Sequence, residues 1–186
     1  MSLRLAALAV SMAIEVGADA ARFTYLMQSV DSRQTFDLEE VAKQGMDNPV
    51  FYVQYAHARI RSAQRKATDI GVDLEQLSEA LANGEANAIF TDAGELTLIR
   101  RLAEWPRVVE AAVKSNEPHR IAFYLYDLAS DFHALWNRGN DRPELRLVQE
   151  SNVIASAQKQ ALAEACRQVL ESGLTICGVK PVEEMR

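Results

Sequence analysis

Residues 48–59 read NPVFYVQYAHAR, and they decide the fold class because they hold the strongest helix start in the chain. Asn48 can act as the N-cap, since its side-chain oxygen can accept a hydrogen bond from a backbone N–H group of the first turn. Pro49 then takes the first helical position, where a missing N–H group costs nothing. We predict a helix from this point to about Ala67, and helical periodicity on both sides of it predicts an all-α helical bundle.

The other predicted helices are separated by turns at glycine, proline and polar residues. N-terminal to the quoted stretch we predict helices at Leu3 to Val16, Asp19 to Gln28 and Asp37 to Gln44, with a polar loop at 31–35. C-terminal to it we predict helices at Leu74 to Ala82, at Asp92 to Trp105, from Pro106 onward, and from Pro118 to about Asn137. After a loop at Arg138 to Pro143, the last helix is predicted to end near Gly173, leaving residues 174–186 as a tail.

The composition predicts a single soluble domain over residues 1–186, with 48% hydrophobic and 25% charged residues. The net charge of -6 argues against nucleic-acid binding through a broad basic surface, so any RNA site must be local. No apolar stretch reaches the roughly 18 to 20 residues that a membrane span needs, so we expect no membrane partner. Cys166 and Cys177 are too far apart for a paired zinc or redox motif, and we expect core thiols in a reducing cytosol and no metal site.

One edge of the helix that begins at Pro49 combines aromatic and cationic side chains. At about 100° per residue, Tyr52, Tyr55 and Arg59 share a narrow stripe beside an apolar stripe that starts at Val53. This arrangement suits unstacked RNA bases, because each ring offers a stacking surface and Arg can pair with a phosphate. The alternative is that both tyrosines are ordinary residues at the edge of the core with satisfied hydroxyl groups.

Nearby polar and aromatic residues have structural interpretations. Arg65 and Lys66 place positive charge near the C-terminal end of the helix, where the helix dipole favours cations. His57 lies between the two stripes, and we expect it to satisfy a buried hydrogen bond. Trp136 continues a core stripe of the helix that starts at Pro118, so we expect it to pack in the interior.

The quoted stretch resembles the Y-x-Q-Y-A-H-x-R signature of arginyl-tRNA synthetases, which residues 52–59 match throughout. Upstream, residues 19–22 resemble the D-A-L-R motif of their anticodon-binding domain, with Ala21 in place of leucine. The resemblance covers nearly the whole chain from Val16 onward, whereas residues 1–15 match poorly. Its further segments are Phe36-Asp37-Leu38, Pro118-His119-Arg120-Ile121, Tyr124-Leu125-Tyr126-Asp127-Leu128-Ala129, Phe132-His133, Gly173-Leu174, Gly178-Val179 and Glu184-Met185-Arg186.

The resemblance implies a helical bundle of the class I synthetase type whose partner is the anticodon loop of arginine tRNA. Carried over position by position, it implies that the anticodon is contacted by Tyr52, Tyr55, Arg59, Tyr124 and Met185. The HIGH-like and KMSKS-like motifs that hold ATP in such enzymes are absent, so ATP and magnesium are expected only for the full-length enzyme. Its catalytic domain is the second expected partner. The chain alone is expected to carry no cofactor, to be inactive as an arginine-tRNA ligase and to be cytoplasmic.

Two other function classes stay open on the residues alone. A helical protein-interaction domain without RNA binding would keep this fold and turn the negative surface to solvent. A self-contained enzyme would need paired catalytic groups or a phosphate-binding loop, and the sequence shows neither.

Overall fold

The computed structural model of the chain describes residues 17–29, 45–73, 75, 79, 83 and 90–185. Within these residues the fold is all-α, as the sequence predicts, and no helix is long and apolar enough to cross a membrane. The helices are α1 (Ala18–Leu26), α2 (Pro49–Asp69), α3 (Ala93–Ser115), α4 (His119–Asp141) and α5 (Val153–Ile176), with a 3₁₀ turn at Pro143–Leu145. The predicted elements at 3–16 and 31–44, and most of the predicted helix at 74–82, lie outside the described residues.

Helix α2 begins where the sequence predicts and contacts α1, α4 and α5. The Asn48 side chain accepts a hydrogen bond from the Val50 N–H group at 3.2 Å, and Pro49 occupies the first helical position. Val53 and Ile60 are fully buried, so the predicted apolar stripe faces the core. The neighbouring stripe of α2 therefore lies at the edge of the core, where its side chains can reach the surface.

Residues 93–115 form one helix, α3, so the prediction of a new helix opening at Pro106 is wrong. A proline inside a helix removes one backbone hydrogen bond and destabilises the helix. Pro106 is exposed, while Leu98 and Ala112 on either side of it are buried in the core and α3 packs along α4. Packing of both halves of α3 outweighs the local cost of the proline.

Helix α4 extends to Asp141, beyond the predicted end at Asn137, so the predicted loop at 138–143 is partly helical. Tertiary contacts hold this last turn. Arg138 pairs with the Asp92 carboxylate at 2.7 Å, and Gly139 is buried against Arg146, whose Nε donates a hydrogen bond to the Gly139 carbonyl at 2.8 Å. Asp92 is 46 residues away in sequence and Arg146 lies beyond the 3₁₀ turn, so local turn chemistry does not reveal these partners.

Helix α5 also extends past its predicted end, because Gly173 is not a terminator. Gly173 is buried inside the helix, and a Cβ atom there would collide with the Leu125 side chain, so it permits close packing of α5 on α4. The helix is closed instead at Gly178, whose φ of 68° lies in the left-handed region that favours glycine. The capping hydrogen bonds run from Val179 N to Leu174 O at 2.9 Å and from Gly178 N to Thr175 O at 3.0 Å.

Candidate nucleic-acid interface

Tyr52, Tyr55 and Arg59, which share one stripe of α2, are all half-buried. Tyr55 contacts the Arg59 guanidinium group. Its Nη2 donates a hydrogen bond to the Tyr55 hydroxyl oxygen at 2.8 Å, and its Cζ lies 4.4 Å from the centre of the Tyr55 ring. The same Cζ lies 4.8 Å from the centre of the Trp136 ring on α4. Arg59 thus links an aromatic ring of α2 to one of α4 through cation–π contacts.

His133 on α4 fixes the orientation of Arg59. Its Nε2 lies 3.2 Å from the Tyr52 carbonyl oxygen, which can only accept, so Nε2 carries the proton and donates. The lone pair on Nδ1 then accepts a hydrogen bond from Arg59 Nη1 at 3.2 Å. Burial lowers the pKa of His133 to about 4, and the nearby Arg59 charge acts in the same direction. The imidazole is therefore neutral at pH 7 and remains an acceptor for Arg59.

Further aromatic rings of α2 and α4 lie next to Arg59 and His133. The Tyr52 ring centre lies 4.6 Å from that of His133 and 5.1 Å from that of Tyr126, a side chain that is 36% exposed. The Tyr55 ring is stacked on His133 with a centre-to-centre distance of 5.6 Å. We call Tyr52, Tyr55, Tyr126, His133 and Trp136, together with Arg59, the ring cluster.

A groove with a volume of about 800 Å³ opens beside the ring cluster, which contributes Tyr55, Arg59 and Trp136 to its lining. Met185 reaches the same groove from the C-terminal tail. Its charged lining comprises the cations Arg59, Arg65, Lys66 and Arg146 and the acids Asp69, Glu150 and Glu184. Cations outnumber acids here in a chain whose net charge is -6, so the groove is locally suited to an anion.

Tyr124 does not join the other predicted contact residues. It is 5% exposed, its hydroxyl donates to the Arg101 carbonyl oxygen at 2.7 Å, and its ring lies 5.2 Å from that of Trp105 on α3. Burial raises the pKa of its phenol. Tyr124 precedes His133 by nine residues, about half a turn around α4 at 100° per residue, so it faces the α3 side of the helix.

Several groove and cluster residues were missed by the sequence reasoning. Trp136 was assigned to the core, and it does pack on Phe132 at 6.1 Å between ring centres, yet it also lines the groove. Tyr126 and His133 fall within segments that carried the family resemblance, but no spacing marked them as neighbours of Tyr52. Arg146 follows α4 and reaches the groove only through the tertiary fold.

The two cysteines lie apart from this groove. Cys166 and Cys177 are buried free thiols, as the sequence predicts. Burial raises the pKa of the Cys166 thiol, and that of Cys177 to about 11, so both are protonated at neutral pH. Among the described residues, no three His, Cys, Asp or Glu side chains form a group that could hold a metal ion.

Comparison with known proteins gives consistent matches over most of the chain. The profile of the DALR anticodon binding domain family matches residues 53–185. An arginine–tRNA ligase of Ruegeria pomeroyi is 51% identical over 172 residues, which are 92% of this chain and 29% of that protein. An arginine–tRNA ligase of Gluconobacter oxydans is 53% identical over 173 residues, covering 92% of this chain and 28% of the relative. The chain thus spans less than a third of the length of these curated relatives.

Solved structures share the fold. The arginyl-tRNA synthetase of Plasmodium falciparum superposes with a TM-score of 0.72 at 19% identity, covering 92% of this chain and 27% of that one. The arginyl-tRNA synthetase of Thermus thermophilus superposes with a TM-score of 0.68 at 26% identity, again covering 92% of this chain and 27% of that one.

Proposed function

Because the chain belongs to the DALR anticodon binding domain family, we propose that it binds the anticodon loop of arginine tRNA as part of an arginine–tRNA ligase. The observation that carries this proposal is the groove beside the ring cluster. It combines aromatic surfaces, a fixed guanidinium group and a local excess of cations, all within the part of the chain that the family profile matches.

In the proposed complex, unstacked loop bases enter the groove beside Tyr55, Trp136 and Met185. Stacking of a base on an aromatic side chain contributes about 1 to 3 kcal/mol and does not depend on the base. Arg59 is held by Tyr55 and His133, so it meets an incoming base or phosphate without first losing its freedom of rotation. Tyr52 and Tyr126 extend the contact surface along the ring cluster.

The backbone phosphates of the loop are proposed to face Arg65, Lys66 and Arg146. Lys66 and Arg146 are exposed, and Arg65 forms an ion pair with Glu184 at 3.3 Å. Neutralising phosphates in this way releases counterions, so the affinity should fall as the salt concentration rises. Tyr124, with its hydroxyl satisfied in the interior, is not included in this contact set.

Base selection requires donors and acceptors in addition to stacking. Every arginine codon has G in its middle position, so the middle anticodon base shared by arginine tRNAs is cytosine. We expect this cytosine to be the base that the groove selects. An RNA loop with uracil at that position should bind less tightly, because its edge presents an acceptor where cytosine presents an amino group.

The chain spans less than a third of its curated relatives, so the chemistry is proposed to lie in a longer protein. A catalytic domain that uses ATP and magnesium would attach arginine to the tRNA, with residues 1–186 acting as one RNA-binding domain in the cytoplasm. The chain alone should not activate arginine. Arginine-dependent ATP–pyrophosphate exchange by the isolated chain would contradict this division of labour.

The binding test uses a fluorescein-labelled stem-loop with the arginine anticodon, followed by fluorescence anisotropy. Tyr55→Leu and Arg59→Gln should each weaken binding by about 5- to 100-fold, which corresponds to the loss of one stacking or charged contact. Arg107→Gln, an exposed cation on α3, is the matched control and should leave the affinity unchanged. Equal affinities for all four proteins would overturn the groove as the RNA site, and absence of binding by the unaltered chain would leave a protein-interaction domain as the better interpretation.

A further inference from the structure

The C-terminal tail, residues 178–185, leaves the end of α5 and runs across α1 and then along α2. Helix α1 contacts its start: Arg22 Nη1 donates to the Gly178 carbonyl at 2.9 Å, and Asp19 Oδ2 accepts from the Lys180 N–H group at 3.2 Å. Val179, between them, is 2% exposed and part of the hydrophobic core. The polar residues of the D-A-A-R sequence in α1 therefore hold the beginning of the tail.

A second row of contacts binds the tail to α2. Gln54 Nε2 donates to the Lys180 carbonyl oxygen at 2.9 Å, and His57 Nδ1 lies 2.9 Å from the Val182 carbonyl oxygen. Because a carbonyl only accepts, His57 carries its proton on Nδ1 and donates it. Further along, Arg61 donates to the Glu183 carboxylate at 2.5 Å, and Arg65 pairs with Glu184 at 3.3 Å.

The spacing of these contacts shows that helix and tail run side by side in the same direction. Residues 54, 57, 61 and 65 recur every three or four positions and so form one stripe of α2. Eleven residues of helix rise about 16 Å. The four steps from Lys180 to Glu184 cover about 13 Å of extended chain, which is close to the rise of the helix over the same contacts. The stripe ends at Arg65, which also lines the groove. Met185, the residue after Glu184 in the tail, lines the groove as well.

The two contacts nearest the start of the row are less exposed than the two that follow, because their donor side chains are buried. Gln54 is 6% exposed and His57 is fully buried, whereas Arg61 and Glu183 are 36% and 58% exposed. Exposed ion pairs add little stability, while a buried amide or imidazole that loses its hydrogen-bond partner is costly. His57 Nε2 has no hydrogen-bond partner among the described residues. Within that part of the chain, the hydrogen bond to Val182 is therefore the one that the imidazole makes.

We propose that Gln54 and His57 are positioning residues for the RNA site: they hold residues 180–182 on α2 and thereby place Met185 in the groove. This inference rests on the proposed function for its RNA consequence. Helix α2 then has two roles on different sides, since Tyr55 and Arg59 form the groove while Gln54 and His57 fix the segment that completes it.

The position of Met185 can be followed without RNA by NMR of the chain labelled with ¹³C at the methionine methyl groups. The chain has five methionines, and Met185→Ala assigns the signal. In the unaltered chain this methyl should be shifted by the groove rings. His57→Phe fills the same buried space but cannot donate, so the signal should move to the position of an exposed methionine. His57→Gln, which can still donate, should restore it in large part.

A matched histidine replacement is available at the far end of α4. His119 lies thirteen residues before Phe132, the first α4 residue of the groove lining, about 20 Å along the helix, so His119→Phe should leave the Met185 signal in place. If His57→Phe does not fold, Gln54→Leu removes the neighbouring donor without adding a methionine and should shift the signal in the same direction. An unmoved Met185 signal in a folded His57→Phe or Gln54→Leu protein would overturn the inference.

The RNA consequence is tested with the labelled stem-loop. Met185→Ala should weaken binding about fivefold, as expected for one lost apolar contact, and His57→Phe should do the same. Combining the two should add less than about twofold, because His57 acts through Met185. Additive losses, or a moved Met185 signal with unchanged affinity, would contradict the positioning role. Failure of the proposed function itself appears separately, as indifference of the affinity to Tyr55→Leu and Arg59→Gln.

Discussion

Replacement of His133 by glutamine should remove a pH dependence of stability that the native chain carries. The pKa of His133 is lowered from 6.5 to about 4 in the folded chain, chiefly by burial. Between these two values the unfolded chain binds a proton that the folded chain does not. Stability therefore rises with pH through this window, is complete above about pH 6.5, and is lost as the pH falls toward 4.

The size of the effect follows from the two pKa values. At pH 5 the unfolded histidine is almost fully protonated and the folded one is mostly neutral, so the free energy of unfolding should be about 2 kcal/mol lower than at pH 7.5. His133 is only 4% exposed, so solvent screens the effect little. Glutamine at this position keeps a donor for the Tyr52 carbonyl but does not titrate.

Urea unfolding followed by circular dichroism at pH 7.5, 6 and 5 measures this contribution. The carboxylates titrate in both proteins, so the difference in unfolding free energy between native chain and His133→Gln isolates the histidine. That difference should shrink by about 2 kcal/mol from pH 7.5 to pH 5 and should change little in 0.5 M salt, because burial is its main cause. A difference that is constant with pH would refute the assignment of a neutral, buried His133 that accepts from Arg59.

Three substitutions test contacts that hold the helical bundle together, each by urea unfolding. Gly173→Ala should lower the unfolding free energy by about 1 to 2 kcal/mol, because the added methyl group collides with Leu125. The cost of this collision exceeds the roughly 1 kcal/mol that alanine gains over glycine in a helix. A more stable variant would contradict the close approach of α5 to α4. Gly178→Ala should cost about 1 kcal/mol because its φ is 68°, and no loss would mean a different helix end. Glu95→Ala should cost about 3 kcal/mol, because it leaves Lys159, 14% exposed, without its ion-pair partner; a change below 1 kcal/mol would argue against this buried pair.

The start of α2 could be predicted because its determinants are local. Asn48 and Pro49 are adjacent in sequence and act on the same turn of helix. The end of α5 could not be predicted, since Gly173 and Gly178 look alike in sequence. Only the approach of Leu125 to one, and the positive φ of the other, show that the first lies within a helix and the second ends one.

The same distinction applies to the candidate site. Tyr52, Tyr55 and Arg59 lie on one helix, so their spacing alone places them on one stripe. Trp136 fits a core stripe equally well whether or not it also lines a groove, and periodicity cannot separate the two roles. The meeting of Arg59 with His133 depends on how α4 packs on α2, which spacing within either helix does not specify.

Trp136 can report directly whether loop bases enter the groove beside Arg59. The chain has two tryptophans, so Trp105→Phe leaves Trp136 as the only source of tryptophan emission. Titration with the arginine stem-loop should quench this emission with the same dissociation constant that anisotropy gives, because a base stacks near the indole. The companion variant Trp136→Phe, which retains Trp105, should show no quenching. Binding of the loop with unchanged Trp136 emission would contradict the entry of its bases into the groove.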